Sequence, residues 1–141
     1  MDKLLLGLIL LSIAVCLGVG PAHADVKDLG DVCILFSYNV GFPPVTRLYR
    51  ALAYGGGQQH ILLTATGQPQ HGFAVLNGDQ IIVTLNGTSV APDSSTIIVS
   101  TTQIVLSTAT LRGPVTTITS SLLPGPESGR LTGTASVVPC D

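Results

Sequence analysis

Tyr38, Phe42, Arg47, Tyr49 and Arg50 lie close together in the chain and bring two guanidinium groups beside three aromatic rings. That chemistry suits a carboxylate-bearing apolar ligand or a partner surface, so these five are the candidate ligand-binding residues. A plainer account of the same residues is that the arginines solubilise a strand or rim while the rings fill a core. Elsewhere the means for chemistry are sparse. Beyond residue 24 the chain has one Glu, six Asp and two His. Asp25, Asp28, Asp31 and Asp141 lie at its extremities, and Asp79 and Asp93 sit in turn sequences where they serve as turn and cap residues. Glu127 lies in a Pro-Gly-Pro-Glu-Ser turn with no partner for a paired-carboxylate mechanism. No Gly-x-Ser-x-Gly elbow occurs, and Gly55-Gly56-Gly57 lacks the Lys and helix of a phosphate loop. If the Gly67–Gln70 turn makes a hairpin, His71 pairs near Thr66 and His60 lies roughly 20 Å down the ladder. Two ligands of one metal ion must be far closer than that. The sequence therefore predicts no enzyme, no metal site and no cofactor.

The chain opens with an address. Met1-Asp2-Lys3 precedes an apolar run from Leu4 to Val15, and Pro21-Ala22-His23-Ala24 supplies an Ala-x-Ala exit. This is the layout of a secretory signal peptide, with cleavage expected after Ala24. The competing reading is an uncleaved membrane anchor, but about twelve strongly apolar residues fall short of the ~20 that span a bilayer, and no stable membrane insertion is expected once residues 1–24 are removed. Lipidation at Cys16 is a second alternative, but Val15 stands where a small residue is expected. The remaining residues, 25–141, form a single domain, destined for the periplasm or the extracellular space. Six basic residues without a run exclude a nucleic-acid binder.

Within 25–141 no segment sustains a helical apolar period. Short β-branched runs alternate with turn signals, and eight strands are predicted: 32–40, 45–54, 59–66, 71–76, 80–85, 96–106, 110–120 and 129–138. Asn77-Gly78-Asp79 is the clearest hairpin turn, and Asn86-Gly87 is expected to begin the next loop. Asn86-Gly87-Thr88 also matches the N-glycosylation acceptor pattern. Ile81, Val83 and Leu85 alternate with Gln80, Thr84 and Asn86, and Leu131, Gly133, Ala135 and Val137 alternate with Thr132, Thr134 and Ser136, as half-buried strands do. In the second strand Leu48 and Leu52 share a parity with Arg50, which suggests a bulge or a mouth position. Residues 81–141 contain 12 Thr and 9 Ser, so solvent-facing sheet can be built without charge.

Uncharged strands at an open edge invite pairing with another chain, so the edges are either hidden by closure or meant for assembly. The cysteines favour closure. Cys33 and Cys140 form an even pair in an exported chain and predict a disulfide. Cys33 lies in the first strand and Cys140 just past the last, and in an up-and-down meander those strands meet only when the sheet closes. The fold class predicted is all-β, an antiparallel eight-stranded up-and-down barrel, with a two-sheet β-sandwich as the alternative.

This layout, an exported chain of eight sequential strands with a disulfide near its ends, resembles the lipocalin-like (calycin-type) barrels. Gly30-Asp31-Val32 has the glycine of that family's first-strand Gly-x-Trp signature, although the chain contains no Trp. A closed barrel whose interior is rich in Ile, Leu, Val and Ala, with few aromatics to fill it, is expected to hold a small hydrophobic molecule, and the cysteine placement favours a self-closed monomer. An alternative of a different class is a structural, self-assembling surface or matrix protein that pairs through its uncharged strands. An outer-membrane barrel is disfavoured because it needs an apolar belt with aromatic girdles, and the chain has six aromatics in all.

Overall fold

A computed structural model describes residues 26–53, 60–65, 70–90, 96–121 and 128–140, with 60–63 through their backbone alone. The export segment, its cleavage site, Cys16, Asp93 and Glu127 lie outside the described residues. Eight strands follow one another: β1 (Lys27–Tyr38), β2 (Val45–Ala53), β3 (His60–Ala65), β4 (Gln70–Asn77), β5 (Gln80–Val90), β6 (Ile97–Ser107), β7 (Arg112–Ser121) and β8 (Ser128–Val138). Each pairs antiparallel with the next, and β8 returns to β1, so the sheet is one closed barrel and not two stacked sheets.

The seam between β1 and β8 runs in register from Cys33↔Val138 to Tyr38↔Gly133. Cys33 is bonded to Cys140 just past the end of β8, with their Cα atoms 5.3 Å apart. The tie between first and last strands is thus the one the cysteine placement predicts.

Alternation along the strands sets what faces inward. Ile34 and Phe36 of β1, Tyr49 and Ala51 of β2, Val83 and Leu85 of β5, Ile104 and Leu106 of β6, Val115 of β7 and Ala135 of β8 are buried and pack into a single core. The parities read for β5 and β8 are those observed: Val83, Leu85 and Ala135 are buried, while Gln80, Asn86, Thr132 and Thr134 are exposed. Outward positions are mixed in character. One ladder row passes Thr84, Gln103, Thr116 and Thr132, where hydroxyl and amide groups meet solvent without charge.

Most boundaries move by one or two residues, and three of the differences from expectation have plain physical reasons. β1 begins five residues early, because a bulge at Gly30 carries the strand through a polar stretch. The β1–β2 register shifts between Asp28 and Gly30, Gly30 takes φ 91°, and its amide donates to Asp28 Oδ1 at 2.9 Å. β5 runs on through Asn86-Gly87, since Gly87 is paired on both sides, with Gln70 and with Ser100. In the Asn77-Gly78-Asp79 turn, Asn77 belongs to β4 and pairs with Gln80. Gly78 alone has positive φ, 62°, at the first central position where a II′ turn wants glycine.

Candidate functional site

The two ends of the barrel differ in chemistry. At the end where β1 starts, β8 finishes and the β4–β5 and β6–β7 turns lie, the interior is apolar. At the other end, where β1–β2, β3–β4, β5–β6 and β7–β8 are joined, inward positions turn polar. Arg47 precedes Tyr49 by two on β2 and so shares its inward parity. Gln70, first residue of β4, is buried opposite them.

Gln70 Oε1 accepts two hydrogen bonds, from Arg47 Nη1 at 3.0 Å and from the Tyr49 hydroxyl at 2.9 Å. Tyr49 is wholly buried, and that burial pushes its phenol up to about 12, so it remains a donor at any physiological pH. With both lone pairs of Oε1 engaged, what Gln70 has left to offer is its amide N–H groups. Beside them Tyr38 Oη, Thr117 Oγ1 and Thr102 Oγ1 form a chain at 2.9 and 2.8 Å across β1, β7 and β6. Thr102 and Thr117 are buried, and each is satisfied by the other, as buried hydroxyls must be.

A cleft of about 710 Å³ opens at this end, lined by Arg47, Gln70, Gly87, Thr88, Ser89, Val90 and Ser100. Of its polar side chains Arg47 can only donate, while the hydroxyls of Thr88, Ser89 and Ser100 can donate or accept. Arg47 is half-buried and, among the described residues, forms no ion pair; both ion pairs recorded there belong to Arg50. A second concavity, about 660 Å³, lies on the outer wall between β1, β2 and the disulfide, lined by Leu35, Leu48, Val138 and Pro139 among others.

The five sequence-predicted site residues are therefore split. Tyr38, Arg47 and Tyr49 face inward at the polar end. Phe42 lies in the β1–β2 loop and is 61% exposed. Arg50 is on the outer wall, its Nη1 2.8 Å from Asp31 Oδ1 and its Nε 3.1 Å from Asp28 Oδ2. The Arg50 bond to Asp28 and the Gly30 amide hold the Asp28 carboxyl below its usual range. The parity puzzle of the second strand is resolved without a bulge there: Leu48, Arg50 and Leu52 face out, and the bulge is in β1.

Gln70, Thr102 and Thr117 escaped the sequence reading. Thr102-x-Ile104-x-Leu106 and Val115-x-Thr117 do carry a signal, a hydroxyl on the parity of buried aliphatics; Gln70 sits beside a Gln-Pro turn and carries none. His71 pairs with Thr64 and His60 with Val75, four positions apart along β3, about 13 Å at ~3.3 Å per residue, where six were expected. Among the described residues no three His, Cys, Asp or Glu side chains gather as metal ligands would.

What the fold and site define is a class: a small, closed, eight-stranded antiparallel up-and-down barrel with a polar cleft at one end. Comparison with protein-family models, curated proteins and solved structures gives no match.

Proposed function

We propose that the protein is an exported, monomeric, non-catalytic binding module that takes a small amphipathic organic anion at the polar end of its barrel. The observation that carries this reading is Arg47, a half-buried guanidinium in a cleft, held toward that cleft by the neutral side chain Gln70. A carboxylate there would receive charge-assisted bonds from Arg47 and neutral ones from Gln70 Nε2 and the Ser100 hydroxyl. The apolar part of the ligand would lie against Val90 and the rim. Below that level Tyr49, Leu85, Ile104 and Val115 are buried in the barrel, which supports a ligand at the mouth over one at the centre.

Export is supported by the Cys33–Cys140 bond, which suits an oxidising compartment. A binding role is favoured over self-assembly through strands because each strand already has a neighbour on both sides. No nucleic acid or membrane enters this reading.

Calorimetric titration with a medium-chain carboxylate and its primary amide tests it. The carboxylate is expected to bind and the amide to bind more weakly. Arg47→Gln should weaken the carboxylate by about 1.5–3 kcal/mol, tenfold or more in Kd, the range for hydrogen bonds to charged groups. Equal binding of acid and amide, or an Arg47→Gln protein as good as the parent, would remove the anion from the proposal.

A further inference from the structure

The chain has three asparagines, and two of them precede glycine: Asn77-Gly78 and Asn86-Gly87. The Asn-Gly step is chemically the most open to intramolecular attack, because a residue without Cβ lets its backbone nitrogen approach the preceding side chain. The two sites are alike in sequence and in exposure, both Asn side chains lying on the surface. They differ in how the backbone is held.

Asn86 sits inside β5, with His71 paired to it on one side and Thr101 on the other. Its neighbour Gly87 is likewise held between Gln70 and Ser100, and Asn86 Oδ1 accepts from Thr101 Oγ1 at 3.0 Å. Attack by the Gly87 nitrogen would require rotating a peptide out of two ladders at once. Asn77 is the last residue of β4. Among the described residues it pairs with Gln80 alone, and the β3–β4 pairs described begin at His60↔Val75. Gly78 stands in the turn, exposed, and among the described residues its amide is no donor in a turn or loop bond.

We propose that Asn77 is a site of spontaneous covalent modification, deamidation through a succinimide, and that the fold protects Asn86 from the same reaction. The deprotonated Gly78 nitrogen bonds to Asn77 Cγ, and the Cγ–Nδ2 bond breaks as ammonia leaves. Water then opens the ring at either carbonyl, giving aspartate or isoaspartate at position 77. No co-reactant beyond water is needed. Each product adds a carboxylate two residues from Asp79. Isoaspartate also inserts a backbone carbon into the hairpin, displacing the Asp79 carbonyl that accepts from the Thr108 amide at 2.8 Å and from Thr108 Oγ1 at 3.0 Å. The modification would thus loosen the link between the β4–β5 and β6–β7 turns.

The test is to age the folded, oxidised protein at mildly alkaline pH and map the amide-to-acid mass gain by fragment-ion mass spectrometry, with an isoaspartyl methyltransferase as the probe for the rearranged product. A parallel sample is aged in denaturant, where both Asn-Gly steps are equally free. In denaturant both positions should convert at similar rates. In the folded protein Asn77 should convert at least about tenfold faster than Asn86, the factor attached to a local opening that costs about 1.4 kcal/mol. Asn77→Gln should remove the fast-forming acidic species and leave slow conversion at Asn86 unchanged. Conversion of Asn86 as fast as Asn77 in the folded state would overturn the proposal. So would an Asn77 that is inert when folded but reactive in denaturant.

Discussion

Tyr49 is the side chain on which burial and hydrogen bonding at the polar end converge. Its hydroxyl is wholly enclosed, and desolvation raises the phenol from 10.0 to about 12. A raised folded-state value means that the neutral form is what the fold accommodates. The associated stability is fully present below pH 10 and is lost as pH rises from about 10 to about 12, since the unfolded chain ionises first. A rise of this size is worth roughly 3 kcal/mol, and Tyr49→Phe is expected to flatten that alkaline slope in denaturant titrations at successive pH values. The same variant should cost about 1 kcal/mol at neutral pH, the net worth of one neutral hydrogen bond, because Gln70 Oε1 retains Arg47. An unchanged alkaline slope in Tyr49→Phe would show that Tyr49 is not the group responsible. The sequence groups Arg50 with Tyr49 and Arg47, whereas the structure sets Arg50 on the outer wall and the other two inward. Residues 47 and 50 differ by an odd number on a strand, and a strand sends odd offsets to opposite faces. Strict parity alone would have divided them; the anticipated bulge in β2 is what blurred the division.

At the scale of strands and turns, closure depends on places where one strand passes hard against another. Gly133 of β8 sits over the β1 backbone: a Cβ built there would lie 2.1 Å from the Ser37 carbonyl oxygen. Neither partner is a flexible side chain, so Gly133→Ala must part the seam, at a cost of about 3 kcal/mol, the upper part of the range for overpacking. Urea unfolding measures it, and a change within 0.5 kcal/mol, the size of an ordinary surface substitution, would mean that the seam yields freely. The β6–β7 turn offers the opposite case. Leu111 has φ 51°, and its conformation is pinned by its amide donating to Ser107 O at 2.8 Å and its carbonyl accepting from Val137 N at 2.9 Å. A leucine pays roughly 1–2 kcal/mol for that region, so Leu111→Gly is expected to be neutral or slightly stabilising despite the loss of a side chain that is 39% exposed. A clear loss of stability would show that the Leu111 side chain earns its place by packing. Strand number and order were legible because β-branched runs and turn residues report local preferences directly. The ends of β1 and β5 were not. At Gly30 and Gly87 the residue type says turn, whereas pairing with β2, or with β4 and β6 together, keeps the chain extended, and that pairing is decided elsewhere in the sequence.

For the whole molecule, the question is what holds the circle shut. Cys33 and Cys140 are 107 residues apart, and a cross-link closing a loop of about 100 residues is worth roughly 4.7 kcal/mol in the chain-entropy account. That account places the effect in the unfolded ensemble, which the bond keeps from expanding. The native circle has its own closure, the β1–β8 pairs from Cys33↔Val138 to Tyr38↔Gly133, the buried Ile34, Phe36 and Ala135 beneath them, and the Asn39 amide donating to Thr132 O at 2.9 Å beyond them. The double variant Cys33→Ser, Cys140→Ser is therefore expected to remain a closed barrel under native conditions, with the far-UV signal of the parent. It should be about 3–5 kcal/mol less stable and have a larger m-value, because its unfolded state exposes more surface. Hydrogen exchange separates this from the rival account, in which the bond itself keeps the terminal strands together. If the unfolded state carries the effect, amides throughout the barrel lose protection by a similar factor. If the bond is the clasp, loss is confined to β1 and β8, and the freed edges, with no charged residue between Val32 and Thr46 on β1 and its following loop, would associate as concentration rises. The seam's own pairs and the core beneath them favour the first outcome, in which sequence closes the barrel by pairing and the cysteines set how far the balance leans toward it.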